Sequence, residues 1–231
     1  MNTTISTLSV YAIVDGAEVL CMSVLDSMVS RRCSRPAGAH EYRYRSLKSG
    51  AEVRLYDRIT LWRWLTLEFD ASVSDLKIND QVFENTFSHV PIVFFYSKHG
   101  RPHLVVQENT TEAAIISLHE YCNLVGITVE TLEEKWAADR HVEMWNLLKM
   151  ASYINKWHHR ISEKRLSQVF RDIAMLDKVA IKELSEQYRT SPENLAMVFE
   201  LVRRGRLHVL GITKNKISQN TQLSTDPDRS L

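Results

Sequence analysis

The pattern of apolar residues changes character at Thr131, and that change confines the chain to an architecture of two unlike parts. Before Thr131, helical spacing is mixed with β-branched and aromatic runs; after it the spacing is almost wholly helical. In the first part, Leu55, Ile59, Trp62 and Leu65 predict an amphipathic helix over residues 53–67, with Trp62 and Trp64 as core residues. Residues 90–96 and 104–107 read as a hairpin across Ser97, Lys98, His99, Gly100 and Arg101. Residues 111–125 then read as a helix closed by Gly126, and residues 127–129 as a strand. Leading helix, strand pair, helix and strand make a small α/β unit.

The second part is helical over residues 133–157, as two helices broken near Asp139, and again over 162–176, where Ser162 is placed to cap. Val179, Ile181, Leu184 and Tyr188 mark a short helix, and Arg189 and Thr190 a tight turn. Ser191 and Pro192 open a further helix that repeats Leu195, Val198, Phe199 and Val202 and stops at Gly205. Helix, three-residue turn, helix is the helix-turn-helix outline. Leu207 and Val209 alternate with Arg206 and His208, and residues 214–217 read as a returning strand, so residues 160–224 predict a winged helix. Residues 218–231 are polar, contain Pro227 and lack periodicity, which reads as an unstructured end.

Composition supports packed domains. The 231 residues are 44% hydrophobic and 25% charged with 7 Gly and 5 Pro, which excludes disordered, collagen-like and disulfide-stapled chains. The apolar stretch over residues 8–25 is broken by Asp15 and Glu18 and has no basic flank, so it predicts neither a membrane span nor a signal peptide. Cys21, Cys33 and Cys122 have no Cys-x-x-Cys spacing and read as packing residues of a soluble intracellular protein.

The formal net charge is +1, but residues 151–231 hold 14 Lys and Arg against 9 Asp and Glu. A second basic cluster, over residues 31–63, contains Arg31, Arg32, Arg35, Arg43, Arg45, Lys48, Arg54, Arg58 and Arg63 against Glu41, Glu52 and Asp57. Clusters of this kind bind phosphates through counterion release, or form solvated faces and internal ion pairs. Arg31, Arg32, Arg43, Arg45 and Lys48 are the candidate DNA contacts of this segment. In the helix-turn-helix they are Asn194, Arg203, Arg204 and Arg206, with Lys214 and Lys216 on the wing, while Glu193 would repel phosphates. Such a module takes DNA or a protein as its partner.

The order of these pieces resembles the TnsA endonuclease subunits of heteromeric, Tn-seven-type transposases. The likeness runs over residues 31–225. It is carried by Ser46-Leu47-Lys48-Ser49-Gly50, Leu67-Glu68-Phe69-Asp70, Pro91 before Gly100 and Leu104-Val105, Tyr121-Cys122 with Gly126-Ile127, Arg140 with Asn146, Arg204-Gly205 and Ile217-Ser218. The resemblance implies a restriction-endonuclease-like α/β domain over residues 31–157 and an α-helical winged-helix domain over 158–224. An unassigned extension, 1–30, and a tail, 225–231, flank them. It also implies DNA at transposon ends, a transposase subunit and an AAA+ regulator as partners, no membrane, and a bacterial cytoplasmic, nucleoid-associated location.

Nucleases of this kind need carboxylates to hold a divalent metal and a lysine to stabilise developing charge. The family places a Glu on the leading helix, an Asp after the strand-opening Pro, and a Lys two residues after a Gln or Glu on the next strand. Here those positions read Thr60, Ile92 and Glu108, with Val106 before Glu108, and the Gln-Pro after the leading helix reads Asn79-Asp80. The expectation is a catalytically silent subunit without a cofactor. Two alternatives stand beside it: an active Mg-dependent endonuclease cutting the non-transferred strand with ligands moved to Asp57, Glu68, Glu108 or Glu112, and a free-standing winged-helix regulator. His99, His103, His158 and His159 read as surface residues, and no Gly-rich phosphate loop or hydrolase signature occurs.

Overall fold

The computed structural model describes residues 28–30, 37–78, 81–85, 88–107, 111–176, 178–188 and 191–226. Arg31, Arg32, Glu108, Cys21, Cys33, Asn79, Asp80, Arg189, Thr190 and Pro227 lie outside the described residues, as does the apolar stretch over 8–25. The protein is mixed α/β, with seven helices among the described residues.

Strands β2 (Tyr42–Arg45) and β3 (Glu52–Leu55) form an antiparallel hairpin before the leading helix α1 (Arg58–Phe69). Residues 53–55 were expected inside that helix. Val53 and Leu55 are instead buried in alternation with exposed Glu52 and Arg54, the period of a strand, and the Asp57 carboxylate starts the helix by accepting from Thr60 N at 2.7 Å. Trp62 and Trp64 are core residues, Trp64 fully enclosed.

The main sheet contains β1 (Met28–Ser30), β4 (Val73–Ile78), β5 (Gln81–Asn85), β6 (Ser88–Lys98), β7 (Arg101–Gln107) and β8 (Thr128–Leu132). Its order is β1-β5-β6-β7-β8, with β4 also paired to β6. The β6–β7 hairpin turns on two residues, His99 at φ 50° and Gly100 at φ 75°, which is the backbone of the twist-matched two-residue turn. After β7, helix α2 (Glu112–Leu124) ends before Gly126 at φ 75° and returns the chain to β8, parallel to β7.

Helices α3 (Lys135–Ala138) and α4 (His141–Trp157) break at Asp139. Helix α5 (Glu163–Ala174) is capped by Ser162; then come strand β9 (Lys178–Ala180), helix α6 (Ile181–Tyr188) and helix α7 (Pro192–Arg203), capped by Ser191. Strands β10 (His208–Val209) and β11 (Gln222–Ser224) join β9 in an antiparallel sheet of order β10-β11-β9. The expected returning strand at 214–217 is not formed, because Asn146 takes those backbone groups. Its Nδ2 donates to the carbonyls of Ile212 and Asn215, each at 2.8 Å, and its Oδ1 accepts from Ile217 N at 2.9 Å. The return strand is β11, drawn from a segment that reads as an unstructured end; Leu223 is fully buried there.

One apolar core runs from Val53 and Trp64 through Phe94, Met144 and Met150 to Phe199 and Leu223. Helix α4 packs on both α1 and α7. On the opposite face of the sheet, α2 covers a second cluster of Ile92, Phe95, Leu104, Val106, Leu118, Cys122 and Ile127. Burial pushes the Cys122 thiol up to about 11, the state of a packing residue.

Candidate functional site

Of the positions matched to the nuclease motif, Thr60, Ile92 and Val106 are described, and they do not share one surface. Ile92 and Val106 are partners across the β6–β7 hairpin, and both lie in the apolar cluster under α2. The register slips between Ile92 and Phe94, so Val93 is a bulge and Ile92 shares a face with Val106. Thr60 belongs to α1, which packs on the other layer. It is buried, and its Oγ1 has no hydrogen-bond partner among the described residues. Neither the Ile92 nor the Val106 side chain offers an atom that could ligate a cation.

Of the carboxylates weighed as moved ligands, the three that are described, Asp57, Glu68 and Glu112, do not form a cluster. Asp57 caps the start of α1, and Glu68 sits near its end, about 16 Å away along a helix rising 1.5 Å per residue. Glu112 is exposed in the first turn of α2. Glu68 is fully buried and occupied: it accepts from Ser46 Oγ on Oε1 and from Leu47 N and Lys48 N on Oε2, at 3.1 and 3.2 Å. The two motifs Ser46-Leu47-Lys48-Ser49-Gly50 and Leu67-Glu68-Phe69-Asp70 therefore meet in space. Burial raises the Glu68 carboxyl above its ordinary range, against the pull of the Ser46 hydroxyl and the Arg203 and Lys48 charges. No cluster of three or more His, Cys, Asp or Glu placed to hold a metal occurs among the described residues.

The candidate DNA contacts divide by what their charges already do. Lys48 donates to the carbonyls of Asp70, which caps the end of α1, and of Val73, which starts β4, and burial lowers its ammonium pKa. Arg203 chelates the buried Glu200 carboxylate with Nε and Nη2, at 2.8 and 2.6 Å. Arg204 binds Glu200 and also Glu163 on α5. Arg43 pairs with Glu41 at 2.8 Å. Arg206 lies 3.8 Å over the Phe170 ring. Glu193 and Asn194 both engage Arg165, which offsets the Glu193 charge. Arg45, with Tyr44, Ser152 and Asn155, borders a cleft of about 560 Å³ between the first hairpin and α4. Lys214 and Lys216 are exposed on the 210–221 connection.

Helix α7, expected to present a reading face, is buried at every residue from Ala196 to Leu201. It packs on α4, α5 and α1. A helix enclosed in this way is a core element and cannot lie in a DNA groove along its length.

A polar cluster that sequence reading missed joins four elements. Glu130 on β8 receives Arg63 from α1, the Tyr96 hydroxyl from β6 at 2.5 Å and His103 Nδ1 from β7 at 3.0 Å. Tyr96 and His103 stack with ring centres 4.9 Å apart, and Arg63 and Arg140 both lie over the Trp136 ring. His103 is thus a partly buried, paired residue and not a surface one. Burial would raise the Glu130 carboxyl, but the Tyr96 bond, the Arg63 charge and His103 together bring it below its ordinary value. The same cluster, after burial, holds the Tyr96 phenol well above its ordinary value. The only signal in the sequence was polar residues at inward positions of apolar strands.

No helix among the described residues is long and apolar enough to cross a membrane. Compared with known proteins, the chain matches no protein-family model and no curated protein.

Proposed function

We propose that this chain is an accessory DNA-transposition protein similar to TnsA, in which a restriction-endonuclease-like domain has lost its metal chemistry and serves as architecture. The observation that carries the reading is the pairing of Ile92 with Val106 inside an apolar cluster, at the strand positions where the resemblance calls for metal-binding groups. A site sealed under α2 can neither hold Mg nor admit a phosphodiester. The element order supports the fold: α1, three antiparallel strands β4, β6 and β7, then α2 and a parallel β8. The contact between Ser46 and Glu68 gives two of the resembling motifs a shared structural reason.

A winged-helix reading of the last part is supported by its order of helix, strand, two helices and two strands in one antiparallel sheet. With α7 enclosed, that module serves mainly to pack against the nuclease-like part, and DNA contact falls to exposed cations such as Arg45, Lys214 and Lys216. The chain would act beside a transposase and an AAA+ regulator at transposon ends, in the bacterial cytoplasm and on the nucleoid.

The test is to incubate the protein and its neighbouring transposase with labelled element-end DNA in Mg and in Mn, mapping breaks on each strand. Cutting of the transferred strand alone is expected, with cointegrates as the main product in cells. A non-transferred-strand cut that depends on this protein would overturn the reading.

A further inference from the structure

We propose that an exposed aromatic and basic platform built around Trp145 binds a nucleic-acid strand with unpaired bases, by stacking a base on the indole and holding the flanking phosphates with lysine and arginine. The proposal deepens the DNA-contact part of the reading above and rests on that part, not on strand cleavage.

Trp145 is 51% exposed on α4, although burying an indole is among the most favourable things a fold can do with it. Its orientation is fixed from the polar edge: Nε1 donates to His141 Nε2 at 2.8 Å, one turn earlier on the same helix. The rings of His141 and Trp145 meet edge to face at 6.0 Å, and His141 meets Trp62 in the same way at 5.9 Å. The Arg58 guanidinium lies 5.7 Å from the centre of Trp62. A ladder of Arg58, Trp62, His141 and Trp145 therefore crosses from α1 to α4 and ends on a held, solvent-facing ring. Stacking on such a ring loses little side-chain entropy.

Positive charge is also held to α4 by structure. Lys149, one turn further along α4, donates to Ile217 O at 3.0 Å, and Asn146 grips Ile212, Asn215 and Ile217. These bonds pin the 212–217 segment, with its exposed Lys214 and Lys216, to the helix that carries Trp145. Arg58, Lys214 and Lys216 make no ion pair among the described residues. Of the carboxylates on these elements, Asp57 caps α1 and Glu143 is held by Arg140 at 2.8 Å, while Asp139, in the turn before α4, is exposed. Exposed cations on segments held to the helix that carries an exposed aromatic ring suit a polyanion that also has flat bases.

The test measures affinity by anisotropy for short labelled single strands of DNA and of RNA and for the duplex of the same sequence, none carrying element ends and with no transposase present. Trp145→Ala is expected to weaken single-strand binding about tenfold while changing duplex binding less, and Trp145→Phe to restore most of the loss. Replacing Lys214 and Lys216 together by Ala is expected to reduce the slope of log affinity against log salt by about 1.4, at roughly 0.7 per phosphate contact on a single strand. Tighter binding of either the DNA or the RNA strand than of the duplex supports the platform and identifies the polymer. Single-strand affinity unchanged by Trp145→Ala, or equal losses on strand and duplex, would overturn it. A separate pull-down in which Trp145→Ala loses the transposase while oligonucleotide affinity stays intact would also overturn it, making the ladder a protein contact. The substitutions lie on the surface, and matching thermal melts establish that each variant is folded. Because no cleavage is scored, this proposal and the silent-nuclease reading can fail separately.

Discussion

Ser46 donates its hydroxyl proton to the buried carboxylate of Glu68, joining the turn before β3 to the end of α1. Leu47 N and Lys48 N complete the site, so three donors converge on one acceptor pair. Glu68→Gln can keep the Ser46 bond but then turns its own amide donor toward the two backbone N–H groups. A loss of about 2 to 3 kcal/mol is expected in urea unfolding, the cost of leaving buried donors unpaired. Burial raises the Glu68 pKa in the folded state, so the wild-type group favours folding most below the ordinary carboxylate range. That contribution falls as pH rises through the folded value, and Glu68→Gln should remove this part of the pH dependence.

Glu130 works in the opposite sense. Its folded pKa is below the unfolded one, so its contribution is complete above about pH 5 and is lost as pH falls through the folded value. Glu130→Gln should lower the melting temperature at neutral pH and flatten its fall under acid. Tyr96→Phe should lose part of the same effect, since its hydroxyl donates to Glu130 at 2.5 Å. Thermal melts across the acid range compare the three proteins directly.

What the sequence disclosed, and what it hid, divides along physical lines. Local signals sufficed where the determinant is local: Ser162 and Ser191 cap their helices, Gly126 ends α2, and His99-Gly100 turns the hairpin. Strand β11 was invisible because a three-residue strand in a polar segment owes its place to β9 and β10, far away in sequence. The basic clusters were legible as charge but not as function, because the partners of Lys48, Arg203 and Arg204 lie on other elements or one helical turn away. Glu130 drew no notice for the same reason: its three partners come from α1, β6 and β7.

Asn146 is placed to decide whether the 212–217 segment is held or loose. All three of its polar contacts go to that segment's backbone, and it is itself buried. Asn146→Ala should cost about 2 to 4 kcal/mol and expose the segment. Limited trypsin digestion reads the change, because Lys214 and Lys216 are the cleavage points. Faster cutting there, before global unfolding, is the expected result, and an unchanged digestion pattern would mean that Lys149 alone holds the segment.

Gly205 has two reasons to be glycine. Its φ of 68° is left-handed, and a Cβ added there would stand 2.8 Å from Ala71 Cβ, across the junction between α7 and the turn after α1. Gly205→Ala should therefore destabilise by more than the roughly 1 kcal/mol of the backbone alone. Ala71→Gly should recover the steric share but not the conformational one. A double-mutant cycle by denaturant unfolding separates them, and additivity of the two changes would show that Ala71 moves aside.

Restoring the acidic residue that the nuclease motif asks for should not restore a nuclease. Ile92 sits 3% exposed in an apolar cluster with Phe95, Leu104, Val106 and Leu118 among the described residues. An Asp there would have to remain protonated or break the cluster, and an unpaired polar group of this kind costs several kcal/mol. Ile92→Asp is therefore expected to melt at a much lower temperature, to gain no stabilisation from Mg or Mn, and to cut neither strand. Ile92→Asn offers a neutral control with similar shape. If Ile92→Asp instead gained thermal stability on adding Mg, a ligand set would have to exist under α2, and the apolar cluster would be a degenerate active site only one substitution from function.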